Sequence, residues 1–201
     1  MKARQLINYT YFIFLIFFSC EESKTANNAE KPENVLTSGN AESQNTKTWL
    51  MKLMEKQPLS EDEYLALVPE TLQGFPLQLK EPKSGLNGFI AFYSHKEGSE
   101  HPGLRLEVID GAGNNQFQHV NAVYKMLESV RNESGEDFQS EIKDHQGERV
   151  LFVSKTKKDR KDFQLEYIQN QRYHVGILGN RVGPDEIYGA FDELQNKQFP
   201  K

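Results

Sequence analysis

The sequence predicts an α+β domain: a largely antiparallel sheet of about six or seven strands with helices packed on it. Two observations carry this. Beyond about residue 75 apolar and polar residues alternate, the period of a half-buried strand, and short turn sequences join successive runs. Other stretches place apolar residues three and four apart, so that each forms a helix with one stripe that a sheet must cover.

In chain order, Thr48-Trp49-Leu50-Met51-Lys52-Leu53-Met54 suits a short helix stopped before Pro58. Ser60-Glu61-Asp62-Glu63 is a capping box that opens a second helix through Tyr64, Leu65, Leu67 and Val68, with Leu59 as its staple and Pro69 as its stop. Alternation then predicts strands at Leu77–Leu79, Gly88–Ser94, Leu104–Ile109, Phe138–Ile142, Val150–Ser154, Phe163–Gln169 and Arg172–Leu178. Asn170-Gln171 and Asp144-His145-Gln146-Gly147 read as hairpin turns, and Lys155–Asp162 as a longer connection. Between strands, Gln116–Arg131 aligns Phe117, Val120, Val123, Tyr124, Leu127 and Val130 on one helical face. Pro184–Leu194 does the same with Ile187, Phe191 and Leu194, Pro184 sitting in the first turn. The same patterning gives Trp49, Phe89, Phe92 and Tyr93 buried positions.

Residues 48–201 therefore read as one domain, and what precedes them has another composition. Lys2 and Arg4 lead into a 13-residue apolar stretch from Leu6 to Phe18, which ends at Ser19-Cys20, the single cysteine of the chain. A membrane span needs about 20 apolar residues, so the stretch has the length of a signal-peptide h-region instead. Phe17-Phe18-Ser19-Cys20 resembles a bacterial lipobox, and loose boxes ending in Ser-Cys are similar to those of lipoproteins from the Bacteroidota. The resemblance implies removal of residues 1–19 and acylation of Cys20 with diacylglycerol and palmitate. The mature protein would then be held at a membrane of the cell envelope, most simply the outer membrane, facing periplasm or exterior. Glu21-Glu22 resembles the acidic signal that sends some such lipoproteins to the surface. Residues 20–47 are the acylated cysteine and a polar tether with Val35-Leu36 as its one sizeable apolar pair. Such a tether spans roughly 30 Å on average and about 90 Å when extended. The segment from Val68 to Phe75 resembles an opening found in uncharacterised exported proteins and implies no activity.

Charge excludes one class of partner. Residues 1–19 carry two of the 24 Lys and Arg, so the mature chain has 22 against 29 Asp and Glu, a net charge of −7, where a nucleic-acid binder needs a basic surface. The chain has no His-Glu-x-x-His, Gly-x-Ser-x-Gly or P-loop motif and no cysteine pair, and no cofactor is expected. Three segments remain as candidate sites. His95 and His101 flank a turn that also holds Glu97, a ligand set suited to a cation such as zinc in an envelope hydrolase. Lys155, Lys157, Lys158, Arg160 and Lys161 gather basic charge that suits headgroup phosphates. Asp110-Gly111-Ala112-Gly113-Asn114-Asn115 is a glycine-rich lead into a helix, which a backbone connection capped by asparagine explains as well as an anion does. The expected function is a non-enzymatic, membrane-tethered module that binds an envelope protein or small ligand, with the His95/His101 enzyme as the alternative.

Overall fold

A computed structural model describes residues 48–98, 100–113, 116–129, 132–158, 160–197 and 199–200. Cys20, the signal-like segment and the tether lie outside the described residues. The first helix, α1, covers residues 48–55. There follow α2 (Glu61–Ala66), β1 (Thr71–Leu72), β2 (Phe75–Pro82), β3 (Gly88–Ser94), β4 (Gly103–Asp110) and α3 (Phe117–Glu128). The second half comprises β5 (Glu133–Ser134), β6 (Phe138–His145), β7 (Glu148–Lys157), β8 (Arg160–Gln169), β9 (Tyr173–Asn180) and α4 (Pro184–Gln195). No described helix is long and apolar enough to cross a membrane.

The strands form one nine-stranded sheet in the order β1-β2-β3-β4-β9-β8-β7-β6-β5, antiparallel at every junction. The α+β, largely antiparallel expectation holds, whereas the expected six or seven strands become nine. The two extra strands, β1 and β5, are two residues long, too short to show alternation. The chain lays down two meanders. The first runs inward from one edge and ends at β4; α3 carries the chain to the far edge; the second runs inward and sets β9 against β4. Because α3 makes that crossing, it lies across one face of the sheet.

Period two sorts the central strands cleanly. One face holds Phe89, Ala91, Tyr93, Leu104, Leu106, Val108, Leu165, Tyr167, Val175 and Ile177, all buried against α2 and α4. Ile187, Ala190, Phe191 and Leu194 supply the stripe of α4, with Phe191 edge-on to Tyr167 at 4.7 Å. Fully burying one such side chain stabilises the fold by about 1.5–3 kcal/mol. The expected capping box of α2 forms: Glu63 N–H donates to Ser60 Oγ, and Ser60 N–H donates to Glu63 Oε2 at 2.8 Å.

Two expected turns form and one expected connection does not. Gln146-Gly147 has positive φ at both residues, as does Asn170-Gln171, the geometry of tight hairpin turns. Lys155–Asp162 is not a long connection, because β7 and β8 continue through it to the pair Lys157↔Arg160. Charged side chains there interrupt the apolar alternation but not the ladder.

Candidate functional site

The second sheet face carries the chemistry. On β4 it presents Arg105 and Glu107, on β9 His174 and Gly176, and on β8 Gln164, Glu166 and Ile168, because these residues alternate with the buried set. Its cover is partial. Leu53, Ala112 and Val120 form a small cluster with Trp49, Phe117 and Ile168, joining α1, α3 and one end of the sheet. Gly111 permits the approach, since a Cβ there would stand 2.5 Å from Val120 Cγ2. The bond from Gly113 N–H to Leu53 O, 3.1 Å, fixes α1 alongside. At the end of β4, where Asp110 falls in the phase of the first face, Arg172 forks onto it with two contacts of 2.8 Å, both side chains almost wholly buried. Asp110 also accepts from the N–H groups of Leu59 and Ala112, each at 3.0 Å. The glycine-rich segment thus begins with a carboxylate engaged in structure. The expected asparagine caps fall on residues 114 and 115, outside the described set, and Gln116 occupies the N-cap of α3 without a side-chain cap.

α3 meets the sheet through a histidine. His119 Nε2 lies 2.8 Å from His174 Nδ1, and His174 Nε2 lies 3.4 Å from Glu166 Oε2, long for a hydrogen bond. Gln164 donates to the other Glu166 oxygen. Burial alone would raise the Glu166 pKa, but the nearby His174 N–H, the bond from Gln164 and the neighbouring imidazole charge outweigh it and hold the carboxyl below the usual range. An ionised Glu166 only accepts, so His174 carries its proton on Nε2, and its Nδ1 accepts from His119 Nε2–H. The result is an ordered pair, His119 donating to His174, with the buried Nε2 of His174 facing Glu166 but making no hydrogen bond. Burial, then the adjacent His174, pushes the His119 pKa down; Lys83 acts in the same sense, while Glu107 and Glu166 oppose it.

Across Gly176 from Glu166 stands Glu107, since Glu107 pairs with Gly176 and Gly176 with Glu166. Lys83 and Arg105 both bind Glu107, Arg105 Nη2 at 2.7 Å. A Cβ at Gly176 would meet nothing closer than Glu107 Cβ at 3.9 Å, so the glycine leaves a gap between the two carboxylates. Beyond it, Leu79 and Phe92 face each other across β2 and β3, 50% and 38% exposed, with the Arg105 guanidinium 5.9 Å from the Phe92 ring centre. Phe92 is therefore not a core residue, unlike Phe89 and Tyr93. It occupies the phase of the alternation that faces away from α2 and α4.

This arrangement brings two imidazoles against a carboxylate, but no group of three or more His, Cys, Asp or Glu among the described residues is arranged to hold a metal ion. His95 lies tilted against Phe75 at a ring separation of 5.1 Å, and His101 Nε2 lies 3.4 Å from Glu100, so the two rings take different partners; Glu97 is exposed on the same connection. The basic segment is spread along a hairpin. Lys155 pairs with Asp162 and lies 5.6 Å from the Phe138 ring centre, and Lys157 and Arg160 are ion-paired to Asp162 at 3.4 and 3.2 Å. Lys161 sits 5.7 Å from the Phe163 ring centre, while Lys158 stands at the turn with φ of 56°. Sequence reasoning passed over the His119–His174 pair, whose members are 55 positions apart. Its available signals were His174 alternating with apolar residues and His119 beside the apolar stripe of its helix.

An open cleft of about 160 Å³ beside α3 is lined by Trp49, Tyr124, Leu127, Arg149, Ile168 and Gln171. It is small against the roughly 300–1,000 Å³ of ordinary ligand sites. No family model matches the chain, and neither a curated protein nor a solved structure matches it.

Proposed function

We propose that this chain is a membrane-tethered cell-envelope lipoprotein whose domain is a non-enzymatic binding module, with an envelope protein as partner and the open part of the second sheet face as docking surface. The observation that carries the docking surface is the pairing of Leu79 with Phe92 on adjacent strands, where both remain in solvent. Apolar area displayed on a rigid sheet gains from being covered. Lys83, Arg105 and Glu107 surround it with charge of both signs, the pattern of an apolar interface centre with a polar rim. The cleft beside α3 is itself small for a ligand site. The anchor rests on Ser19-Cys20 after the apolar stretch, and two or more acyl chains suffice for stable attachment.

Two experiments test the two parts. Metabolic labelling with palmitate in a producing cell should mark the wild-type chain and be lost in Cys20→Ser; an unlabelled wild type overturns the anchor. A photoreactive residue at position 92 should give a discrete adduct that is absent when the same residue replaces the exposed Asp185 on α4 and that weakens with Arg105→Glu. Identical adduct patterns at positions 92 and 185 overturn the docking surface.

A further inference from the structure

The attachment of α3 to the sheet has one polar contact that acid must disturb. We propose that α1 and α3 form an acid-released layer: proton uptake by the His119–His174 pair lifts them from the second sheet face while the rest of the domain stays folded. The inference is independent of the lipid anchor and of the docking surface.

The geometry makes the docked pair a poor proton acceptor. A further proton on His119 charges a half-buried ring. A further proton on His174 Nδ1 sets one N–H against another at 2.8 Å and ends the hydrogen bond. The docked pair therefore holds at most one added proton, whereas two released imidazoles hold two. The groups facing the pair are Glu166 on β8, Glu107 on β4 and Lys83 in the β2–β3 connection. Lys83 and Arg105 engage Glu107, and Gln164 engages Glu166, so neither carboxylate is free to move onto a new imidazolium.

The layer has a smaller apolar hold than α4, although Val123 and Leu127 of α3 are also buried. Leu53, Ala112 and Val120 are the fully buried members of its apolar cluster, and α3 begins with neither a side-chain cap nor an acidic first turn. Elements with few buried apolar contacts open below the global unfolding free energy. Release uncovers Ile168 and extends the open face.

The sign follows from linkage. A histidine whose pKa is lowered on docking contributes nothing to the balance above its free value of 6.5, and docking weakens as pH falls through that value. One extra proton taken up on release shifts the equilibrium by about tenfold per pH unit below 6.5. Glu166 acts oppositely placed on the scale: its lowered pKa favours the docked state above the ordinary carboxylate value of 4.5 and stops doing so below it. A measurement ending at about pH 5 therefore reads the histidines.

Trp49, the single tryptophan of the chain, reports the layer directly, being packed on Tyr124 of α3 at a ring separation of 5.0 Å. On the full chain, its emission should shift to the red between about pH 6.5 and 5. Hydrogen exchange, corrected for the intrinsic rate, should show residues 48–55 and 117–128 losing protection at least about tenfold over that range while β4, β9 and α4 keep theirs. His119→Gln, whose amide does not titrate and can donate to a neutral His174 or turn its oxygen to accept from a protonated one, should flatten both responses. The proposal is overturned by corrected protection of α3 that stays constant to pH 5, by a loss shared equally with β4 and β9, or by an undiminished response in His119→Gln. The wild-type measurements decide the matter even if that variant does not fold.

Discussion

The two faces of the sheet are made from the same strands, one residue out of phase, and they are held in different ways. The face under α2 and α4 gathers a continuous cluster of 21 buried apolar residues, whereas α1 and α3 cover a smaller cluster of three, with Val123 and Leu127 of α3 buried beside it, so the first face carries the larger share of the core. On the second face polar contacts fill the gap: the His119–His174 bond and the carboxylates flanking Gly176. Apolar burial is non-directional and tolerates small displacements, while a bond between two imidazoles depends on both position and protonation. An alternating strand can thus carry a permanent core on one side and an adjustable surface on the other.

Three substitutions sharpen the contrast. Phe191→Ala removes a fully buried ring from α4 beside Tyr167 and should cost about 3–5 kcal/mol, seen as an earlier denaturant midpoint for the whole domain. An unchanged midpoint would mean that α4 is not part of the cooperative unit. Asp110→Asn keeps the shape but leaves the Arg172 guanidinium buried without a counter-charge, and about 2–3 kcal/mol should be lost. Because Asp110 also receives the amides of Leu59 and Ala112, exchange should rise first around residues 57–59 and 111–113; a loss confined to α4 would contradict this assignment. Ser60→Ala should cost about 1 kcal/mol through the α2 cap alone, lowering the melting temperature slightly without altering Trp49 emission. A change in that emission would show that the two faces are coupled more tightly than their separate clusters imply.

Much of the first face was legible in the sequence and little of the second. Phe89, Ala91 and Tyr93 on β3 answer Leu104, Leu106 and Val108 on β4, and the alternation alone sorts them. β2 proved longer than Leu77–Leu79 because its last residues, Lys80 to Pro82, are solvent-exposed and carry no apolar signature. The charged ends of β7 and β8 were hidden for the same reason. The candidate site required knowing that β9 lies beside β4 and that α3 crosses above them, and local periodicity carries no information about either. His95 and His101 drew attention because they are close in sequence, yet the pair in contact joins a helix to a strand in the other meander.

The two-meander layout also bears on how the chain reaches its folded form. β4 is joined to β3 by a short connection, but its other edge waits for β9, which follows α3 and four further strands. During synthesis from the N-terminus the future centre of the sheet is therefore an open edge lined by Leu104, Leu106 and Val108. Pairing so distant in sequence closes slowly, and an unpaired apolar strand edge meanwhile invites association with other chains. The step most exposed to failure is thus the joining of the halves, and a chain arrested before Tyr173 would present the edge of β4 that in the complete protein lies against the central strand.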